Sequence, residues 1–151
     1  MEYSDSIEIA VTPAIAFAVI TDLPAMGHFS PENTGGHWVA GSGGPARGAR
    51  FLGSNTRGTS SWITKVKVTT FDPPSEFAFE VRYKTYRVAR WKFTIDLTRT
   101  GCRVTETWKD RRNWFRRRAA DSDGFKRVEF TKQSIRETLE KLKSELESPY
   151  A

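Results

Sequence analysis

Between residues 36 and 109 apolar side chains return at every second position, and after residue 125 they return at the spacing of a helix. The alternation is cleanest in Glu76–Tyr83, where Phe77, Phe79, Val81 and Tyr83 oppose Ala78, Glu80 and Arg82. Tyr86–Thr98 repeats it, with Trp91, Phe93, Ile95 and Leu97 against Arg90, Lys92, Thr94 and Asp96. Over 102–109, Cys102, Val104, Glu106 and Trp108 oppose Arg103, Thr105, Thr107 and Lys109. Period two marks a strand with one dry face and one wet face. Further strands are predicted over 4–11 (Ile7, Ile9 and Val11 on one side), 37–41, 49–56 and 59–70. Arg57-Gly58, Asp72-Pro73-Pro74-Ser75 and Thr100-Gly101 punctuate them. Seven strands joined mostly by short turns pair antiparallel.

The helical stretches lie outside this block. Thr12-Pro13 offers a cap and a proline at the first helical position. Ile15, Ala16, Val19, Ile20 and Leu23 form a stripe behind it, stopped at Leu23-Pro24. A second short helix or turn is expected over 25–33. From 125 to 147, Val128, Ile135, Leu139, Leu142 and Leu146 share one face, flanked by Thr131 and Thr138. The other face is charged, with Glu137/Lys141, Lys141/Glu145 and Lys143/Glu147 at i,i+4. Phe130 falls opposite the stripe, and Asp121, Ser122 and Asp123 offer caps. This helix spans ~34 Å at ~1.5 Å per residue. A sheet with one apolar face must cover it, and no other predicted element is long enough. The expected class is α+β: a curved seven-stranded antiparallel sheet around a long C-terminal helix, with two short helices after the first strand.

Composition narrows the setting. A chain of 151 residues with 38% hydrophobic and 13% aromatic content reads as one globular domain, 1–151. No stretch approaches the ~20 apolar residues of a membrane span. The polar start Met1-Glu2-Tyr3-Ser4-Asp5 does not read as a secretion signal, and one cysteine, Cys102, forms no disulfide framework. A cytoplasmic protein is expected. The net charge of +6 is concentrated: Lys109, Arg111, Arg112, Arg116, Arg117 and Arg118 stand against the single acid Asp110 in one predicted loop.

Several local signatures carry a family likeness. They are Phe29-Ser30-Pro31-Glu32, Trp38, Gly48-Ala49-Arg50-Phe51-Leu52-Gly53-Ser54-Asn55, Trp62, and Asp72-Pro73-Pro74-Ser75-Glu76-Phe77-Ala78-Phe79. Gly101-Cys102-Arg103-Val104-Thr105-Glu106 and Leu139-Glu140-Lys141-Leu142-Lys143 complete the set. With this order of elements the chain resembles, over nearly its whole length, the START-like (SRPBCC, helix-grip) superfamily, in its polyketide cyclase/dehydrase branch. The resemblance implies a deep apolar cavity between sheet and helix. It is weak on activity, because the family hosts cyclases, lipid carriers and plain binding proteins.

Alternation names the residues that would face such a cavity. They are Phe51, Asn55, Trp62, Thr64, Val66, Phe77, Phe79, Val81, Tyr83, Trp91, Phe93, Ile95, Val104, Glu106 and Trp108, with Ile135 and Leu139 from the helix. Each alone reads as core; together they are rich enough in aromatics to wall a pocket for a flat apolar ligand. Glu106 falls on the apolar face between Val104 and Trp108. Burial there raises a carboxyl's pKa. It either pairs with an arginine or caps backbone groups near the sheet edge, the commoner outcome, or serves as a ligand anchor or general acid/base. Tyr83 and Asn55 are weaker polar candidates, and a one-residue register slip would turn all three to water.

The remaining motifs are poorer. His28 and His37 have no cysteine or helical spacing to join them, so no metal site is expected, nor any cofactor. Residues 43–48 mimic phosphate-loop glycine spacing, but Ala49-Arg50 stand where Lys and Ser/Thr belong. Asp121-Ser122-Asp123-Gly124 resembles a calcium loop, yet Lys132 replaces its bidentate Glu, leaving a helix cap. Glu32 reads as a capping or loop residue. The segment 109–118 interleaves Trp114 and Phe115 with arginines, which suits single-stranded nucleic acid or an anionic membrane. The preferred alternative is a solvated loop whose Trp114 and Phe115 tuck over the cavity entrance as a lid.

Three functional readings follow. The first is a monomeric binding protein for a small hydrophobic or aromatic molecule, polyketide-like or lipid-like. The second is a polyketide aromatase/cyclase with Glu106 or Tyr83 moving protons. The third, with nucleic acid the weaker partner, is surface binding through 109–118.

Overall fold

The computed structural model describes residues 1–39, 41–120 and 126–149. In chain order they form β1 (Glu2–Ile9), α1 (Pro13–Ile20), a 3-10 turn (Leu23–His28), β2 (Asn33–Trp38), β3 (Arg50–Arg57) and β4 (Ser60–Asp72). There follow β5 (Glu76–Tyr83), β6 (Tyr86–Thr98), β7 (Gly101–Asp110), α2 (Trp114–Ala120) and α3 (Arg127–Leu146). The strands make one antiparallel sheet in the order β1-β7-β6-β5-β4-β3-β2. The expected seven-stranded sheet gripping a C-terminal helix is therefore present. Irregularities at Asn33/Gly35, Val68/Thr70 and Val81/Arg82 add local bend and twist, which helps the sheet curl around its cover.

α3 runs beside edge strand β1 and parallel to it. Its stripe buries Thr131, Ile135, Thr138, Leu139 and Leu142, at steps that keep them on one face. The charged flank, expected to face water, reaches back to β1 instead. Lys132 sits over the Tyr3 ring at 5.2 Å, and Arg136 pairs with Asp5 at 3.2 Å. Lys143 donates to the Glu8 carbonyl at 2.8 Å, and the Ala10 N–H donates to Glu147 at 2.8 Å. Of the predicted i,i+4 pairs, Lys143–Glu147 forms at 2.7 Å, and Arg136–Glu140 adds another at 3.2 Å. The N-cap position of α3 is Lys126, with no side-chain cap. The proposed caps Asp121, Ser122 and Asp123, with Gly124 and Phe125, lie outside the described residues.

The opposite edge is tied by a longer reach. Arg127, at the start of α3, donates from one Nη to both Glu32 oxygens at 2.9 Å. Glu32 immediately precedes β2, so this contact bridges helix and far sheet edge. Glu32 is the loop residue expected, and it carries an ion pair that the sequence did not announce.

Other expectations shift. β2 begins four residues before the predicted 37–41, because glycines conceal it from side-chain patterning. Gly35 (φ +110°) and Gly36 (φ +141°) hold conformations suited to glycine. A Cβ on Gly36 would strike the Leu52 carbonyl and the Phe51 ring. In α1, Thr12 accepts the Ile15 N–H at 3.4 Å as expected. Phe17 is buried with Ala16 and Ile20, whereas Ile15 is 51% exposed. That helix is apolar nearly all round, so its stripe was ambiguous. Leu97 is 78% exposed near the β6–β7 turn, not on the dry face.

Candidate functional site

Exposure changes steadily along the inner face of the sheet. At the α1 end Phe77, Ile95, Val104, Leu139 and Leu142 are buried, and Phe17 packs on Phe71 and Phe77 at ring distances of 5.4 and 6.5 Å. Toward the other end, Tyr3, Trp62, Phe79, Val81, Trp91 and Val128 are only partly buried. That end carries the start of β1, the finish of β7, the β3–β4 and β5–β6 turns and the start of α3. The interior thus closes at α1 and loosens beside α2.

Most predicted inward residues take their places. Phe51, Thr64, Val66, Phe77, Phe93, Ile95, Val104, Glu106 and Trp108 are buried, as are Ile135 and Leu139. Asn55 is partly buried, and its amide donates to Thr64 Oγ1 at 3.2 Å and the Trp62 carbonyl at 3.4 Å. Its donors serve the β3–β4 ladder. Tyr83 is a correction: it is 38% exposed at the tip of the β5–β6 hairpin. The irregularity at Val81/Arg82 breaks the alternation that pointed it inward.

Glu106 stands at mid-depth, with Asp5 of β1 and Phe93 of β6 as its cross-strand neighbours. It is 5% exposed, and its Oε2 is buried without a hydrogen-bond partner among the described residues. One step nearer the loose end, Trp108 lies 6.4 Å from Trp91, ring to ring. Burial pushes the Glu106 carboxyl from the ordinary 4.5 up to about 8, and the charge of Asp5 adds to the rise. The nearest arginine of the helix, Arg136, is engaged by Asp5 instead. Glu106 is therefore mostly uncharged at neutral pH, an O–H donor in an apolar wall.

A second buried acid is fully spent. Asp110 accepts from Arg112 Nε and Nη2, both at 3.0 Å, and from the Arg112 backbone N–H. Nothing in the local pattern distinguished this pair from the solvated charges around it.

The segment 109–118 is not a loop. Lys109 and Asp110 end β7, and Trp114 begins α2. Trp114 and Phe115 are 63% and 76% exposed, so they do not tuck over the interior. Arginine and alanine are good helix formers, a signal that the charge density obscured.

Among the described residues, no group of three or more His, Cys, Asp or Glu converges as a metal site. No described helix is long and apolar enough to cross a membrane. A recess of about 290 Å³ lies between His28, Phe29 and the Lys141, Ser144 and Glu145 positions of α3. It sits outside the helix and is separate from the inner face.

A family model described as polyketide cyclase / dehydrase and lipid transport matches residues 1–147. The solution structure of a polyketide-cyclase-like protein from Corynebacterium glutamicum is similar, with TM-score 0.61 and 27% identity over 97% of this chain and 93% of that one. A Chromobacterium violaceum protein matches with TM-score 0.73 and 9% identity, over 97% and 98% of the two chains. A di-domain ARO/CYC from the steffimycin biosynthetic pathway gives TM-score 0.76 and 11% identity, covering 97% of this chain and 50% of that one. No curated protein matches the sequence.

Proposed function

This chain belongs to the polyketide cyclase/dehydrase and lipid transport family, and from that premise we propose that it binds a small hydrophobic or aromatic molecule beneath α3. The ligand enters at the end beside α2, where Trp62, Phe79 and Trp91 are only partly buried. The observation that carries the reading is Glu106, a buried carboxyl with an unpartnered Oε2, set across the strands from Phe93 and two positions from Trp108 in β7. An unsatisfied buried polar atom costs about 1–3 kcal/mol, and a ligand oxygen or N–H placed there relieves that cost. The preferred ligand is thus mostly apolar and flat, with a carbonyl or hydroxyl at mid-depth, polyketide-like or lipid-like. A single buried cysteine, Cys102, suits a protein of the reducing cytosol.

Native mass spectrometry of protein purified gently from its own host cytosol tests this. A reproducible added mass that disappears on denaturation is expected. A bare mass, together with no uptake of flat aromatic ketones by the purified protein, would overturn the reading.

The same group supports a second reading, aromatase/cyclase chemistry on a poly-β-keto chain. A carboxyl titrating near 8 can exchange a proton with substrate at working pH. Glu106→Gln then abolishes turnover while binding persists. Undiminished turnover would remove Glu106 from the chemistry.

A further inference from the structure

The α2 end carries an exposed surface that ligand binding does not explain. On the β5–β6 hairpin, Arg82 stands directly opposite Arg87, and Tyr83 opposite Tyr86. Like charges opposed across a strand pair are unfavourable for the sheet, so the arrangement serves no folding purpose. α2, which carries Arg116, Arg117 and Arg118, meets the same hairpin: the Arg116 guanidinium sits 3.1 Å from the Tyr86 ring centroid. Two acids beside it are already engaged, Asp110 by Arg112 at 3.0 Å and Glu80 by Arg111 at 3.8 Å. Among the described residues, Arg82, Lys84, Arg87, Arg116, Arg117 and Arg118 have no ion-pair partner. Trp114 and Phe115, at the start of α2, lie with rings 6.2 Å apart and most of their surface in water.

We propose that this face docks on an anionic lipid bilayer, with Trp114 and Phe115 seated in the interface and the six cations against lipid phosphates. Two classes of polyanion fit the charge, and ring geometry separates them. Binding of single strands needs free aromatic faces on which bases stack. Here a cation already lies over one face of Tyr86, of Tyr83 (Lys84, 5.4 Å) and of Trp114 (Arg118, 5.5 Å). A bilayer interface makes no such demand: it takes a Trp–Phe pair as an apolar wedge while flanking cations remain at headgroup level. The wedge stands at the end where the interior loosens, so docking would present that end to the lipid. The docking itself does not depend on the ligand reading.

The test is co-sedimentation of the full chain with vesicles of phosphatidylcholine, alone or mixed with phosphatidylserine. Binding to the mixed vesicles only, weakened by added salt, is expected. Each cation near the surface contributes about fivefold in partitioning, so the triple change Arg116→Gln, Arg117→Gln, Arg118→Gln should lower it about a hundredfold. Trp114→Ser with Phe115→Ser should abolish retention at moderate salt, and these exposed positions leave folding intact by circular dichroism. Glu106→Gln should bind vesicles as the parent does, which separates this result from the fate of the ligand reading. Absence of binding to the mixed vesicles, or full retention by the Trp114/Phe115 variant, would overturn the proposal. So would tighter binding to a single-stranded oligonucleotide that is lost in the same variants.

Discussion

Replacing Glu106 with glutamine keeps the side chain's shape and removes its titration, so the parent and variant differ only through the charge of one buried carboxyl. In the folded chain that carboxyl titrates at about 8, against an ordinary 4.5. Between those values the folded state holds a proton that the unfolded state has released, so stability falls as pH rises through the window. The loss is absent below about pH 4.5 and complete above pH 8. At 1.36 kcal/mol per unit of pKa, the parent gives up about 5 kcal/mol across the window. Glu106→Gln gives up none of it. For a chain of this length each kcal/mol moves the melting temperature by roughly 2–4 °C. The variant should therefore melt roughly 10–20 °C above the parent at pH 9 and close to it at pH 4. Calorimetry or urea titration at several pH values reads the difference directly, and other titrating groups cancel from it. A gap that stays constant from pH 4 to 9 would refute the argument, because it would mean that Glu106 ionises as freely folded as unfolded.

Two further outcomes follow from packing and pairing. Leu139 is completely buried where α3 meets the sheet, so Leu139→Ala should cost about 2–5 kcal/mol in urea unfolding; a change near zero would show that α3 is not clamped there. Arg112→Leu strands the fully buried Asp110 carboxylate and should cost about 3–5 kcal/mol, most of it recovered when Asp110→Asn is added. A double variant no better than the single one would deny the pairing.

The parts of this fold that could be read from the sequence are those governed by local periodicity. β5 and β6 occupy the predicted spans because alternation marks most of each strand and a two-residue turn separates them. Glu106 was placed correctly for the same reason: period two is uninterrupted from Cys102 to Trp108 in β7. Tyr83 obeyed the same pattern in sequence but lies beyond an irregularity that no residue type announced. β2 was displaced because Gly35 and Gly36 have no side chains to alternate, although their conformations are what let that strand pack. The contacts that complete the site were invisible for another reason. Arg127–Glu32 joins residues 95 apart, and Arg136–Asp5 joins residues 131 apart. Their charges look like any others on a wet face until the sheet curls.

Arg136 pairs with Asp5, while Glu106 has no arginine partner among the described residues, against the commoner expectation. Asp5 and Glu106 are cross-strand neighbours, and the α3 cation Arg136 pairs with Asp5. Asp5, on the edge strand, is the more accessible of the two, so pairing it with Arg136 costs less desolvation. The edge acid holds the arginine, and burial together with the Asp5 charge keeps the inner acid protonated. A carboxylate and an uncharged carboxyl thus arise side by side from the same residue chemistry, separated only by depth in the sheet. Asp5→Asn removes the negative neighbour and frees Arg136, so it should lower the Glu106 pKa and narrow the window over which the parent and Glu106→Gln diverge. An unchanged window would mean that burial alone sets the proton on Glu106, with no part played by the charge of Asp5.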